Sequence, residues 1–280
     1  MKKIIIFLVM VLFILGCANI VYDGKVQNLI LDLSNDDYDT RMNASDRLTE
    51  IGSEAVPYII ESLNKDPYEN ETSESFNSRW NKVNVLGRIN DKRAEDILID
   101  RITNDKETHV RWRSIWALGN MADKKTYEKL DEKLESDDKF IRWNAAVALG
   151  SFDREEAIPV LLEGLESDDN WVRWEAVYVL GIIADNSTTD YLVKMLSDEN
   201  DRVRQETCLT LGKIGDKRAI PYLIEALGDE SAGVRWRAAS ALAEMGGIGS
   251  IGYIENALQK EQDLLARENL NNSLAKLIKD

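Results

Sequence analysis

Apolar and polar residues alternate along most of the chain with the period of an α-helix. In the segment from Val234 to Met245, a turn of about 100° per residue brings Val234, Ala238, Leu242 and Met245 to one side. Such a stripe predicts a helix that buries one face against a neighbour. Polar stretches such as Ser-Asp-Asp and Gly-Asp-Lys-Arg separate the apolar segments, and we expect the helices to end there.

The helical segments repeat at a fixed interval. Five copies of a Val/Ile-Arg-Trp/Gln motif follow one another at a spacing of 31 residues, and each has a Leu seven residues after its Arg. The copies begin at Val110, Ile141, Val172, Val203 and Val234. With small slips, the register extends back to Arg41 and forward to Arg267, and a polar insertion from Tyr68 to Asn77 accounts for extra length.

A second, shorter apolar element lies between successive copies of this motif. Its clearest copies begin at Ala55, Ala157 and Ala219 and carry Pro at their third position. A helix start tolerates Pro because that amide has no partner within the helix. We therefore count eight helix pairs between Val26 and Ile278. No pair buries its apolar face alone, whereas stacked pairs share a continuous core.

The strings Val-Arg-x-x-Ala-x-x-Leu-Gly and Ala-Ile-Pro-x-Leu resemble the short HEAT-like repeats named after phycobilisome lyases. The resemblance implies an all-α fold, a right-handed α-solenoid of about eight HEAT-like helix pairs whose Arg-Trp helices line the concave surface. Members of that family include bilin lyases, a di-iron hydroxylase and many binding scaffolds. The di-iron members need several His-Glu pairs on these helices, and this chain, whose one histidine is His109, has none.

The first seventeen residues differ from the repeats in their pattern of charge and hydrophobicity. Lys2 and Lys3 precede an unbroken apolar run from Ile4 to Leu15, which is short for a membrane span and suited to a signal-peptide core. The Gly16-Cys17 pair that follows resembles the lipobox of prokaryotic lipoproteins, in which the chain is cut before a Cys that carries a diacylglyceryl group.

We therefore predict a signal peptide at residues 1–16, a lipidated Cys17 with a short tether at 17–25, and a single repeat domain at 26–280. Two alternatives remain open: an uncleaved N-terminal anchor helix, and an ordinary secretory signal with a chance Cys. All three place the repeats outside the cytoplasm, and the lipoprotein interpretation places them on the extracytoplasmic face of the cell membrane.

Five of the seven tryptophans occupy one position of the repeat, directly after the motif Arg and pointing away from the apolar stripe. Two copies add an aromatic residue one turn later. The whole aromatic set is Trp80, Trp112, Trp116, Trp143, Trp174, Tyr178 and Trp236. Exposed aromatic stripes mark binding surfaces, so we interpret the set as partner-binding and expect truncation of Trp143 or Trp174 to spare stability. The alternative is that the rings pack on neighbouring helices and fill gaps between small residues.

The motif arginines form a second column. They are Arg79, Arg111, Arg142, Arg173, Arg204 and Arg235. Each stands at a helix start near acidic loops such as Asp137-Asp138, Asp168-Asp169 and Asp229. A ladder of Arg–carboxylate bonds from repeat to repeat suits the fork geometry of the guanidinium, and we prefer this structural role to phosphate or carboxylate binding.

Charge and composition narrow the classes of partner. The net charge of −15 repels phosphate backbones, which argues against nucleic acid and favours basic proteins or cationic ligands; the alternative is that the acid serves solubility alone. Cys17 and Cys208 do not suggest a disulfide framework. A Gly-rich phosphate loop, a Cys-x-x-Cys motif and a His-Glu pair are all missing, so we expect no cofactor, no metal site and no catalytic residues.

The leading functional interpretation is a membrane-anchored scaffold that binds a protein or peptide through its Trp-rich face. One alternative is a structural spacer of the cell envelope without a specific ligand, which would need no Trp column. Another is a chaperone-like lyase that attaches a bilin, against which the lipobox argues because those relatives act in the cytoplasm.

Overall fold

The computed structural model describes residues 24–66, 73–246 and 248–279, and this part contains sixteen helices and no strand. The helices alternate as the first and second members of eight pairs. The first helices are α1 (24–32), α3 (Val56–Lys65), α5 (Glu95–Asn104), α7 (Lys124–Leu134), α9 (Ile158–Gly164), α11 (Thr189–Met195), α13 (Ile220–Ala226) and α15 (Ile251–Lys260). The second helices are α2 (Tyr38–Ile51), α4 (Ser73–Ile89), α6 (Thr108–Gly119), α8 (Lys139–Ser151), α10 (Asn170–Ile183), α12 (Asp201–Ile214), α14 (Ala232–Glu244) and α16 (Leu264–Lys279).

The helical-repeat architecture predicted from the 31-residue spacing is thereby confirmed. The predicted signal peptide and Cys17 lie outside the described residues, as does most of the predicted tether. Residues 24 and 25, which we assigned to the tether, are helical and belong to α1.

Local sequence sets where each helix begins. Pro57, Pro159 and Pro221 lie in the first turn of α3, α9 and α13, where a missing amide hydrogen costs nothing. The second helices begin after polar caps. The side chains of Asp37, Asp138, Asp169 and Asn200 each accept a hydrogen bond from a first-turn amide of α2, α8, α10 and α12.

The motif leucines form the centre of the core. Leu118, Leu149, Leu180, Leu211 and Leu242 are fully buried. The Gly that follows the motif Leu has a packing role: a methyl group on Gly181 would lie 2.5 Å from the Thr210 hydroxyl, and one on Gly150 would collide with Val179. Gly in the motif therefore lets the second helix of one pair approach that of the next, and a side chain there would overpack the contact.

The described residues form two compact units, one that ends at Lys129 and one that begins at Leu130. In the first unit α2, α4 and α6 pack in succession, and in the second unit α8, α10, α12, α14 and α16 do so. None of the helices in the described ranges combines the length and the apolar character needed to cross a bilayer.

Candidate functional site

Three motif arginines of the second unit, Arg173, Arg204 and Arg235, each bond to a carboxylate of the following repeat. Arg173 donates from Nε and Nη2 to the two oxygens of Asp198, at 2.7 and 3.0 Å, and from Nη1 to the Ser167 carbonyl at 2.8 Å. Arg204 repeats the pattern: its fork meets both oxygens of Asp229 at 2.9 Å, and its Nη1 reaches the Asp198 carbonyl. These bonds are bidentate and charge-assisted, the strongest class of protein hydrogen bond.

The same pattern continues at the end of the second unit. Arg235 donates to both oxygens of Glu261 at 2.6 and 2.7 Å and to the Asp229 carbonyl at 2.8 Å. The bond from Arg235 lowers the pKa of the Glu261 carboxyl to about 2, against the opposing effect of burial. Asp198 and Asp229 thus each receive one arginine on the carboxylate and the next arginine on the backbone carbonyl.

In the first unit the arginines converge on one buried carboxylate. Arg79 donates from Nε to Asp105 Oδ2 at 2.8 Å, Arg101 Nη1 lies 3.5 Å from the same oxygen, and the Glu107 amide donates to Oδ1. Arg111 donates to the Asp105 carbonyl at 3.0 Å. The side chains of Arg79 and Asp105 are 0% exposed, so water does not solvate either charge.

The carboxylates that accept these bonds differ in part from those we expected. Asp138 and Asp169, which we expected to pair with the column, instead cap the helices α8 and α10. Arg142 donates to the Ser136 carbonyl at 2.6 Å. Asp229 is an acceptor, as expected.

We expect Arg173→Ala to lower the free energy of unfolding by roughly 1–3 kcal/mol, because it removes a nearly buried bidentate bond between repeats. Arg173→Lys, which keeps the charge but loses the fork, should cost less than the Ala variant. Chemical denaturation of the three proteins measures the difference. A variant that kept full stability and lost partner binding would assign the column to recognition.

The aromatic set falls into two groups that belong to different units. Trp80, Trp112 and Trp116 lie in the first unit, and Trp143, Trp174, Tyr178 and Trp236 lie in the second. All are half-buried except Trp116, which is 45% exposed. The column is therefore neither wholly solvated nor wholly part of the core, and the contacts differ from ring to ring.

Trp143 packs between repeats. Its indole Nε1 donates to Glu175 Oε2 at 2.9 Å, and the edge of its six-membered ring lies against Gly164, where an added methyl group would collide with it. Glu175 is buried, so the indole N–H supplies a donor that this carboxylate needs. These contacts favour the packing alternative for Trp143, against our expectation that its truncation spares stability.

In the first unit a guanidinium lies between two tryptophans. Arg113 Cζ is 4.5 Å from the centroid of Trp80 and 4.9 Å from that of Trp116, within the range of a cation–π interaction. Burial lowers the pKa of Arg113. The exposed ring of Trp116 also covers Gly87. Both rings therefore already have a cationic partner within this chain, the guanidinium of Arg113.

In the second unit three rings stack along one side of α10. The centroids of Trp171 and Trp174 are 5.0 Å apart, and those of Trp174 and Tyr178 are 5.4 Å apart with planes only 11° from parallel. Trp171 is 43% exposed. Sequence reasoning missed Trp171 because it lies outside the repeat column, although the i, i+3, i+7 spacing of the three aromatics places them on one helix face.

A cavity of about 530 Å³ opens beside this stack, where Gln205 interrupts the tryptophan column. The amide of Gln205 lies against Gly233 and donates to Asp201 Oδ2 at 3.1 Å. On the next helix the guanidinium of Arg237 lies 4.8 Å from the Trp236 ring. The residues that line the cavity are Asn170, Trp171, Trp174, Asn200, Asp201, Arg202, Gln205, Glu206 and Arg237.

The metal-binding and nucleophilic side chains of the described part can be considered in turn. No cluster of three or more His, Cys, Asp or Glu side chains placed to hold a metal ion occurs among the described residues. Burial raises the pKa of the Cys208 thiol to about 12, so this cysteine is a small apolar side chain of the core. His109 is exposed in the first turn of α6.

Three overlapping segments, residues 69–142, 128–206 and 189–275, match the family model for HEAT repeats. A comparison with curated protein sequences gave no significant match.

Several solved structures are similar to this chain. The Escherichia coli protein YibA is 22% identical over 92% of this chain and 95% of its own, with a TM-score of 0.57. Yeast importin-β, Kap95, in its complex with Nup1, is 13% identical over 92% of this chain and 42% of its own, with a TM-score of 0.65. The phycocyanin lyase complex CpcE–CpcF of Nostoc is 19% identical over 89% of this chain and 93% of its own, with a TM-score of 0.46.

Proposed function

We propose that this chain, which belongs to the HEAT repeat family, is a binding scaffold rather than an enzyme, and that it holds a protein or peptide at the aromatic surface of its second unit. We define this surface as Trp171, Trp174 and Tyr178 together with the cavity at Gln205.

The observation that carries the proposal is the stack on α10 beside an open cavity. Large amphipathic rings supply contact area with little loss of side-chain entropy and are enriched in binding hot spots. Trp171 keeps 43% of its surface exposed, although a tryptophan is usually well buried in a folded chain. A partner that covered Trp171 and filled the cavity would remove this apolar surface from water.

The repeat architecture supports a scaffold role. Stacked helix pairs present an extended surface whose successive positions vary while the core positions stay constant. Kap95, which shares the fold, is seen in complex with another protein, Nup1. We extend protein binding to this chain on the strength of its own aromatic surface, since the identity to Kap95 is only 13%.

A second candidate function, the structural spacer, is favoured by two observations. The Arg–carboxylate ladder and the packed ring of Trp143 both join repeat to repeat. Neither gives a reason for an exposed Trp171 next to a cavity, and we therefore rank the binding scaffold first.

The test is capture of partners from solubilised membranes of the source cell by the full chain and by Trp171→Ala. We expect a protein recovered by the wild type to be lost with the variant. Trp116→Ala, which truncates an equally exposed tryptophan of the first unit, is the matched control and should retain it. Equal recovery by all three proteins would favour the spacer.

We also propose that the scaffold is held at the extracytoplasmic face of the membrane by a lipid on Cys17. The support is the order of Lys2-Lys3, an apolar run and Gly16-Cys17 in the sequence. Cys17→Ser should abolish metabolic labelling with a fatty acid and slow the removal of the first sixteen residues. An unmodified Cys17 in the mature protein, found by mass spectrometry, would refute the anchor while leaving the binding surface untouched.

A further inference from the structure

The cavity beside α10 exists because one ring of the tryptophan column is absent. Gln205 occupies the position of Trp174 and Trp236 in its repeat, and its side chain turns toward Gly233 instead of filling the space next to Trp174. The indole rings of Trp171 and Trp174 form one wall of the resulting cavity of about 530 Å³. This volume is in the range of small-molecule pockets, about 300–1,000 Å³, and is more than large enough for one side chain of a partner.

Glu206 lines the cavity with a carboxylate that has little of its hydrogen-bonding capacity in use. It accepts a hydrogen bond from Trp174, and Lys213 and Arg237 attract it through space. Within the described part of the chain, no cation lies within 4.0 Å of its oxygens as an ion-pair partner. Burial raises the pKa of Glu206. An ionised carboxylate offers about four acceptor positions, and the hydrogen bond from Trp174 uses one of them.

Two arginines, Arg202 and Arg237, line the cavity as well, and the buried Nε of Arg237 has no hydrogen-bond partner among the described residues. The guanidinium of Arg237 is stacked on Trp236 at 4.8 Å, Lys213 lies 5.8 Å from the Tyr178 centroid, and Arg202 is exposed. A second carboxylate, Asp201, stands at the opening, where Gln205 and Ser231 each donate to its Oδ2 at 3.1 Å. The cavity therefore combines aromatic faces with two carboxylates and two guanidinium groups, in a chain whose net charge is −15.

Resting on the proposed function, we propose that this cavity receives a positively charged side chain of the partner, an arginine or a lysine, which lies on the Trp171–Trp174 wall and donates to Glu206. The negative faces of aromatic rings attract cations, and a desolvated carboxylate bonds a guanidinium more strongly than a neutral donor. The acidic surface steers such a partner toward the site.

Two capped pentapeptides test the proposal on the full chain: Gly-Gly-Arg-Gly-Gly, and the same peptide with citrulline, which has the shape of arginine without its charge. Binding is followed by indole fluorescence. We expect the arginine peptide to bind at least about tenfold more tightly, as expected for one charge-assisted hydrogen bond. Glu206→Gln should abolish this preference. The control is Glu163→Gln, which makes the same change of charge at an exposed residue of α9. This variant should keep the preference for the arginine peptide.

Equal affinity for the two peptides, no binding of either at millimolar concentration, or tighter binding of a neutral disaccharide such as cellobiose would overturn the proposal. The captured membrane partner separates this failure from failure of the scaffold role. A partner whose binding depends on Trp171 but is unchanged in Glu206→Gln refutes the cationic side chain alone, whereas a partner indifferent to both refutes the binding surface itself.

Discussion

Replacing Asp105 with Ala is expected to lower the free energy of unfolding by about 3–5 kcal/mol, the cost of removing one partner from a buried ion pair. Asp105 is the carboxylate on which Arg79 and Arg101 converge, and all three side chains are at most 1% exposed. Without it, two guanidinium groups stay in a site that water does not reach. Few single substitutions cost this much.

Denaturant titration of wild type and Asp105→Ala measures the loss. Glu61→Ala is the control, because Glu61 pairs with Lys65 at 2.7 Å on the surface, where both side chains are more than 60% exposed; such a pair contributes about 0.5 kcal/mol or less. Asp105→Asn keeps an acceptor oxygen without the charge, and its loss of unfolding free energy should fall between those of the two Ala variants. A loss for Asp105→Ala no larger than that for Glu61→Ala would show that the arginines find other partners.

The repeat period carried most of the information about the fold. The 31-residue spacing and the Ala-Ile-Pro strings predict the helix pairs and several of their starts, because the same core positions recur in each repeat of a stacked array. The Gly after the motif Leu also has a local cause, since α10 and α12 approach closely at Gly181 and Thr210.

The partners of the arginines could not be predicted from proximity in the sequence. Asp138 and Asp169 stand next to the motif arginines, yet their carboxylates bond to first-turn amides of their own helices. The carboxylates that accept the forks, Asp198 and Asp229, come 25 residues after Arg173 and Arg204. A carboxylate just before a helix is placed to cap that helix. The carboxylate that pairs with the arginine comes from the next helix pair, and it is within reach only once the two pairs have stacked.

The different roles of equivalent tryptophans depend on what the next repeat offers. Trp143 lies against Gly164, which leaves room for its ring. One repeat later the corresponding position holds Met195, and the Trp174 ring stacks with Trp171 and Tyr178 instead. The column position alone does not distinguish these outcomes, although the Gly-to-Met change at a fixed offset is a signal that the sequence contains.

Trp171→Ala is expected to weaken partner binding by at least about 30-fold, the equivalent of a hot spot of about 2 kcal/mol. It should change the free energy of unfolding by less than about 1 kcal/mol, because only the stacking contact with Trp174 is lost. Trp143→Ala should instead lower stability and leave partner binding largely unchanged. It removes the ring packed on Gly164 and leaves the buried Glu175 without its indole donor, so we expect a loss of stability of about 3 kcal/mol.

The central claim is that the second unit recognises a partner through the exposed rings of α10. Its most direct test measures the dissociation constant of the captured partner and the unfolding midpoint for wild type, Trp171→Ala and Trp143→Ala, with Leu180→Ala as a core reference expected to lose about 2–5 kcal/mol. We predict lost binding with an unchanged midpoint for Trp171→Ala, and a lowered midpoint for Trp143→Ala. A midpoint of Trp171→Ala as low as that of Leu180→Ala, or unchanged binding by Trp171→Ala, would contradict the claim and favour a structural spacer.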